Sequence, residues 1–261
     1  MLRAFSTAAT GMAGQQMIVD VIANNLANIN TTGFKRSQVD FQDLMYLKLA
    51  QAGAETASGV LAPTGLEIGS GVQVVATTRV YTPGELENTG RALDVAISGD
   101  GFFEVTLPDG TTRYTRDGSL KFDANRQLVT SHGHTIGTGI TVPQTAVQIS
   151  IGNDGTVTSH AADGTTTAVG TLTLVRFPNP SGLSAEGDNL LSETPASGTP
   201  ITGTPSQEGF GSIDQGFLEK SNVQMVTELV NLIKAQRAYE INSRAIRAGD
   251  EMLNTANRLI S

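Results

Sequence analysis

Few residue patterns in this chain could perform chemistry, and each of them has a plainer use. His132 and His134 form a His-Gly-His, a pair of imidazoles able in principle to hold a metal. Two histidines without a carboxylate or cysteine pattern beside them are a weak donor set, and a solvated hairpin accounts for them better. Asp94, Asp100, Glu104, Asp117 and Asp123 could supply the two carboxylates of glycoside hydrolysis. Most of these sit in Asp-Gly turns or on the polar side of alternating runs, where aspartate serves as a turn former. Gly99 to Gly101 lacks the Lys-Ser/Thr and the opening helix that a phosphate loop requires. No Ser/His/Asp constellation stands out. The sequence predicts no enzyme, no metal and no cofactor.

The elements say more. Phe5, Met12, Val19 and Leu26 recur every seven residues, joined by Leu2, Ala9 and Ala23. Met225, Leu232, Tyr239, Ile246, Leu253 and Ile260 repeat the spacing at the other end. A sevenfold apolar repeat keeps one narrow stripe facing a partner helix, as in a coiled coil. Neither segment can bury itself alone, so the partner is the other end of the chain or other copies. These two rows, with Leu2, are the expected helical seam, and they point to assembly rather than catalysis.

Residues 2–29 read as one helix, about 40 Å long at about 1.5 Å per residue. Gly11 and Gly14 weaken it by up to about 1 kcal/mol each. Turn residues Asn30, Thr31, Thr32 and Gly33 end it. Residues 37–49 admit a short helix with Phe41, Leu44, Met45 and Leu49 on one side. From Val72 the period switches to two, through Val72, Val74 and Ala76, then Leu93, Val95 and Ile97, then Phe103, Val105 and Leu107, later Val147, Ile149 and Ile151. Asp-Gly at 100–101, 109–110, 117–118, 154–155 and 163–164 favours tight hairpins. Residues 93–177 thus look like a small antiparallel β-domain. The proline-bearing residues 178–212 read as a flexible linker. From Gly216 the pattern is helical to the end, with Glu240 and Arg244 spaced for a surface ion pair.

At 261 residues the chain has room for two or more domains. Aromatic content of 5% and 29 glycines suit many short strands better than one large aromatic core. A formal net charge of -8 argues against nucleic acid, whose binding needs a basic face. The absence of cysteine excludes disulfides and thiolate metal sites. No apolar run approaches the roughly 18 to 20 residues of a membrane span, so no membrane insertion is expected. The N-terminus lacks a secretory pattern, since Asp20 interrupts the apolar run from Met17 to Ala23. Composition alone points to the cytoplasm.

One segment is unusual for a helix end. Ala23-Asn-Asn-Leu-Ala-Asn-Ile-Asn-Thr-Thr-Gly-Phe-Lys-Arg36 crowds Asn24, Asn25 and Asn28 into a poor context for asparagine. It reads either as a fraying end or as amides that fix register against neighbouring helices. This block, through Asn24, Asn25, Leu26, Asn28, Thr32, Gly33 and Phe34, resembles the N-terminal signature of the bacterial flagellar rod and hook family of axial proteins. Leu93-Asp-Val-Ala-Ile-Ser-Gly-Asp-Gly-Phe-Phe103 resembles the opening of the family's β-domain. Tyr114-Thr-Arg-Asp-Gly-Ser-Leu-Lys-Phe-Asp123 and Leu128-Val-Thr-Ser-His-Gly133 resemble its hairpins. Gly216-Phe-Leu-Glu-Lys-Ser-Asn-Val223, Ala235-Gln-Arg-Ala-Tyr-Glu240 and Asp250-Glu-Met-Leu253 are similar to its C-terminal helix.

The resemblance implies an α+β fold, with N- and C-terminal coiled-coil-forming helices flanking a mainly antiparallel β middle. It divides the chain into an N-terminal helix (1–33), a bridging region (34–92), a β-rich outer domain with its return segment (93–212) and a C-terminal helix (213–261). Residues 194–205 fit that return segment, against the linker reading. The stretch Tyr46–Val75, ending Gly65-Leu-Glu-Ile-Gly-Ser-Gly-Val-Gln-Val-Val75, is similar to an insertion typical of the family's distal-rod branch, and the resemblance puts the insertion itself at 46–71. Its small residues Ala50, Ala52, Gly53, Ala54, Ala57, Ser58 and Gly59, with Pro63, suit an extended or hairpin arm lying between neighbouring subunits. The implied function is a helical homopolymer, a stiff hollow shaft carrying torque to the hook. The implied partners are further copies, proximal rod and hook proteins, basal-body ring proteins and the flagellar export apparatus. Phe41-Gln-Asp-Leu-Met45 resembles a short export element, and export without a cleaved signal replaces the cytoplasmic reading with a periplasm-spanning rod. The alternatives are a proximal rod or short hook subunit of the same family, or a secreted β-domain enzyme or carbohydrate binder with helical tails.

Overall fold

The computed structural model describes residues 2–53, 55–57, 60–61 and 63–260. The chain forms two compact units, one of Met1–Leu26, Ser37–Thr78 and Gln224–Ser261, the other of Ala27–Arg36 and Arg79–Val223. Two helices and a mainly antiparallel β middle give the α+β class expected from the sequence.

In the first unit, helix α1 is Leu2–Ala27 and helix α2 is Met225–Ile260. The expected helix over residues 37–49 is absent. Ser37–Asp43 is a strand paired with Val72–Arg79, and Leu47–Ala50 pairs with Leu66–Ile68. The reason lies in α1. The Asn25 amide receives the Ser37 N–H at 2.9 Å and donates to the Ser37 carbonyl at 2.8 Å, which fixes Ser37 extended as a neighbouring strand would. Asp40 then accepts from the Thr78 hydroxyl across the pair. Distant partners outweigh a short stretch of helical spacing. A second small antiparallel pair joins Glu55–Ala57 with Val60–Leu61. Ala54, Ser58 and Gly59 lie outside the described residues, as do the side chains of Ala57, Leu2 and Ile260.

The second unit is built on a sheet in which Phe102–Thr106 is central. It pairs with Thr112–Thr115 on one side, and on the other with Leu174–Arg176 at one end and Thr135–Ile136 at the other. Both faces are covered. Phe103 and Val105 enter a large cluster with Ile97, Leu128, Val157, Leu174 and Ile213, while Phe102 joins Tyr114, Val175, Phe177 and Leu191 on the opposite side. Ala146–Ile151, Thr156–Ala161 and Thr166–Thr171 form a three-stranded sheet beside it. There Ile149 and Ile151 are buried as the alternation predicts, but Val147 is 75% exposed, because a register shift falls between Ala146 and Gln148.

Three sequence expectations for this unit need correction. Residues 178–212 are no linker. Ser184–Gly187, Leu190–Ser192 and Ile201–Gly203 join the main sheet, and the turn at Asp188 and Asn189 has φ of 51° and 61°, as a tight hairpin requires. Asp-Gly makes hairpins at 109–110, 154–155 and 163–164, but not at 100–101 or 117–118, whose flanking strands pair with other partners. Residues 216–224 are not helical. Phe217–Glu219 pairs with Leu86–Asn88, Ser212–Gln215 pairs with Val95–Ser98, and Gly216 joins the two strands at φ 82°.

Candidate functional site

The most concentrated polar chemistry is a buried cluster in the second unit around Glu219. Its Oε1 lies 2.6 Å from the Lys35 ammonium and its Oε2 lies 2.7 Å from Arg116 Nε, with all three side chains at most 5% exposed. Every nitrogen of the two cations donates at least once. Lys35 also donates to the Thr82 carbonyl at 2.7 Å, and Gly84 N–H reaches Glu219 Oε1 at 2.9 Å. The Arg116 guanidinium donates to the carbonyls of Gly101, Ile97 and Gly99 at 3.0, 3.2 and 3.0 Å. Burial pushes the Glu219 carboxyl up, but the charges of Arg116 and Lys35 and their hydrogen bonds outweigh it and hold it below the ordinary range. Burial, then repulsion from Arg116, holds the Lys35 ammonium below the usual lysine value.

The backbone around the cluster is tied just as firmly. Gly33 N–H donates to the Glu219 carbonyl at 2.8 Å, and Lys220 N–H donates to Glu85 O at 2.9 Å. Gly33 has φ 67°, and a Cβ there would lie 2.7 Å from the Arg116 carbonyl carbon, so no other residue fits without strain. Thr32 donates to Asp117 at 2.7 Å. Three residues on, Asn222 accepts from Arg36 N–H at 2.7 Å and donates to the Val80 carbonyl at 2.8 Å. Residues 32–36, 80–85, 97–101 with 116–117, and 216–222 therefore meet at one point. The cluster went unread in the sequence. Its only signal was three charged residues, Lys35, Arg116 and Glu219, inside stretches singled out for other reasons.

In the first unit the residues of the expected seam are unevenly covered. Among its residues with described side chains, Phe5, Met12, Val19, Leu26, Leu232, Ile246 and Leu253 are half-buried, whereas Met225 and Tyr239 stay exposed. The small residues receive side chains rather than backbones. A Cβ on Gly249 would lie 2.7 Å from the Phe5 ring, one on Gly11 would lie 3.0 Å from the Asn242 amide, and one on Gly14 would lie 2.8 Å from the Phe41 ring. α2 also bears an exposed stripe absent from the seam, Val226, Leu229, Val230 and Ile233. Beyond it the surface turns charged, with Glu240 between Arg237 at 2.9 Å and Arg244 at 3.8 Å, the second pair being the one the sequence predicts.

The residues considered for chemistry come to rest in structural roles. Asp94 is buried and accepts two hydrogen bonds from Arg91 at 2.8 Å each. Asp117 and Asp123 hold turns through Ser119 and through Asn125 and Gln127. His132 and His134 stack at 6.4 Å on a hairpin tip, with the Asp188 carboxylate 3.9 Å from His132. Among the described residues no group of three or more His, Cys, Asp or Glu could hold a metal, and no helix is long and apolar enough to cross a membrane. Of the export element, Phe41 lies against Gly14 and Met45 is 87% exposed. In the family signature Asn25 and Gly33 hold the fold as described, Thr31 donates to Asn28 at 3.1 Å, and the Phe34 carbonyl accepts from Asn222 N–H at 3.4 Å.

Helices with uncovered apolar residues beside a β-unit tied by a charge cluster point to assembly. Family models agree. Residues 5–35 match flagella basal body rod proteins, 96–159 match the flagellar hook protein FlgE/F/G D1 domain, and 214–259 match the flagellar basal body rod FlgEFG protein C-terminal region. Flagellar basal-body rod protein FlgG of Borreliella burgdorferi is 47% identical, with 99% of each chain covered. That of Buchnera aphidicola subsp. Schizaphis graminum is 48% identical over 96% of each, and that of Bacillus subtilis 38% over 97% of each. The chain belongs to the flagellar basal-body rod protein family.

Proposed function

We propose that this chain is the structural subunit of the distal flagellar rod, polymerising helically into a stiff hollow shaft that transmits torque to the hook. The heptad rows of α1 and α2 are the coiled-coil-like seam of its inner layer, against each other and against further copies. Residues 93–212 form its outer part and 34–92 the bridge. Its neighbours are proximal rod and hook proteins and the rings around them, and it reaches them through the flagellar export apparatus.

The observation that carries this reading is the arm. Tyr46, Leu49 and Leu66 are 51%, 55% and 57% exposed, within the segment that resembles the distal-rod insertion. Such a ribbon gains stability only when another surface covers it. Purified chain, concentrated stepwise and viewed by electron microscopy, is expected to give straight tubes. A chain that stays monomeric at every concentration, also when seeded with rod fragments, overturns the proposal.

A further inference from the structure

Glu219 is the only carboxylate within ion-pair distance of Lys35 and Arg116 among the described residues. Until it arrives, two cations destined for the interior face each other with nothing to neutralise them, and leaving a charge buried without its partner is strongly unfavourable. Four further connections wait on the same short segment. They are the Leu86–Asn88 ladder with Phe217–Glu219, Gly216 N–H to the Asp94 carbonyl at 2.7 Å, Gly33 N–H to the Glu219 carbonyl, and the Asn222 contacts to Arg36 and Val80. The strand Val95–Ser98, which lies in the large core, has Ser212–Gln215 as its ladder partner. All of these residues belong to the second unit, and they close its earliest segments with its latest ones: Lys35 and Glu219 are 184 residues apart.

We propose that residues 212–223 are a fold-completion switch, with Glu219 as its trigger: the second unit cannot lock its sheet until this segment docks. Every nascent chain emerges N-terminus first, so a partly delivered chain holds the strands of the unit without the anion that closes them. The device keeps an incomplete chain open and makes locking a single late event. It differs from simple stabilisation in kinetics. A stabilising contact formed after the folding barrier slows unfolding, whereas a switch must be made at the barrier and so governs the folding rate.

Refolding of the full chain from urea, followed by pulse-labelled hydrogen exchange, tests this. Amides of Phe102–Thr106 and Thr112–Thr115 are expected to become protected in the same phase as those of Phe217–Glu219. Glu219→Gln is expected to slow that phase on the order of 100-fold with little change in unfolding rate. Should Glu219→Gln fail to fold, Glu219→Asp, which keeps the charge on a shorter stem, is expected to slow the same phase by a smaller factor. Protection of the central strands ahead of Phe217–Glu219 overturns the proposal, and so does a variant whose only change is faster unfolding.

Discussion

Glu219 sets how the second unit responds to acid. Its carboxyl is held below its ordinary value in the fold, so its contribution is complete above the unfolded value of about 4.3 and is lost as pH falls through the folded one. Glu219→Gln should therefore cost about 3 kcal/mol at pH 7, the penalty of removing one partner from a buried pair. The difference between variant and parent should begin to shrink as pH falls below about 4.3, where the parent's unfolded chain takes up the proton, and should vanish once pH has passed through the lowered folded value. Asp109, Asp154 and Asp163, lowered by hydrogen bonds from the threonine two residues on, weaken both proteins alike in acid. The informative quantity is thus the difference. Urea titrations at pH 7 and pH 3.5 measure it, and parallel losses at both pH values would show that the carboxylate charge is not what closes the cluster.

The helices set a different question, which is what their half-buried rows are for. Leu232 and Ile246 belong to the heptad row of α2, while the core of the second unit is drawn from residues 95–223. Leu232→Asp or Ile246→Asp should abolish assembly, since a charge in a packed helical seam has no partner and costs several kcal/mol. The second unit should keep its hydrogen-exchange protection. Normal tubes from either variant, seen by electron microscopy, would mean the seam lies elsewhere. The two helices were legible because their apolar periodicity is local. So were the strands at 95–98 and 102–106, and the hairpins at 109–110, 154–155 and 163–164, where each Asp-Gly joins strands that pair with one another. The strand at 37–43 was not legible, because an asparagine 12 residues upstream and a strand at 72–79 fix it. The Glu219 cluster was invisible for the same reason at greater range. Lys35, Arg116 and Glu219 carry no mutual spacing that a sequence could display, and in isolation each reads as a solvated surface charge.

At the scale of the whole molecule, the proposed function demands stiffness, and neither the helices nor the β-unit supplies it by itself, since the resemblance extends these parts to curved hook subunits as well. The arm at residues 46–71 is what remains. Its pairing places Leu47 opposite Ile68 on one face and Lys48 opposite Glu67 on the other, where their exposed ion pair at 3.6 Å adds little. One face is thus apolar and uncovered, and the outer edges of a two-stranded ribbon have unpaired backbone groups ready to bond a neighbour. Bending a tube lengthens one side and shortens the other, so subunits must slide past one another. An arm seated across a neighbouring copy resists that sliding. Deleting residues 46–66 should leave export and polymerisation intact and yield flexible or curved filaments. Persistence length measured from electron micrographs decides it. Straight rods of unchanged stiffness from the deletion variant would remove the arm from the account of rigidity.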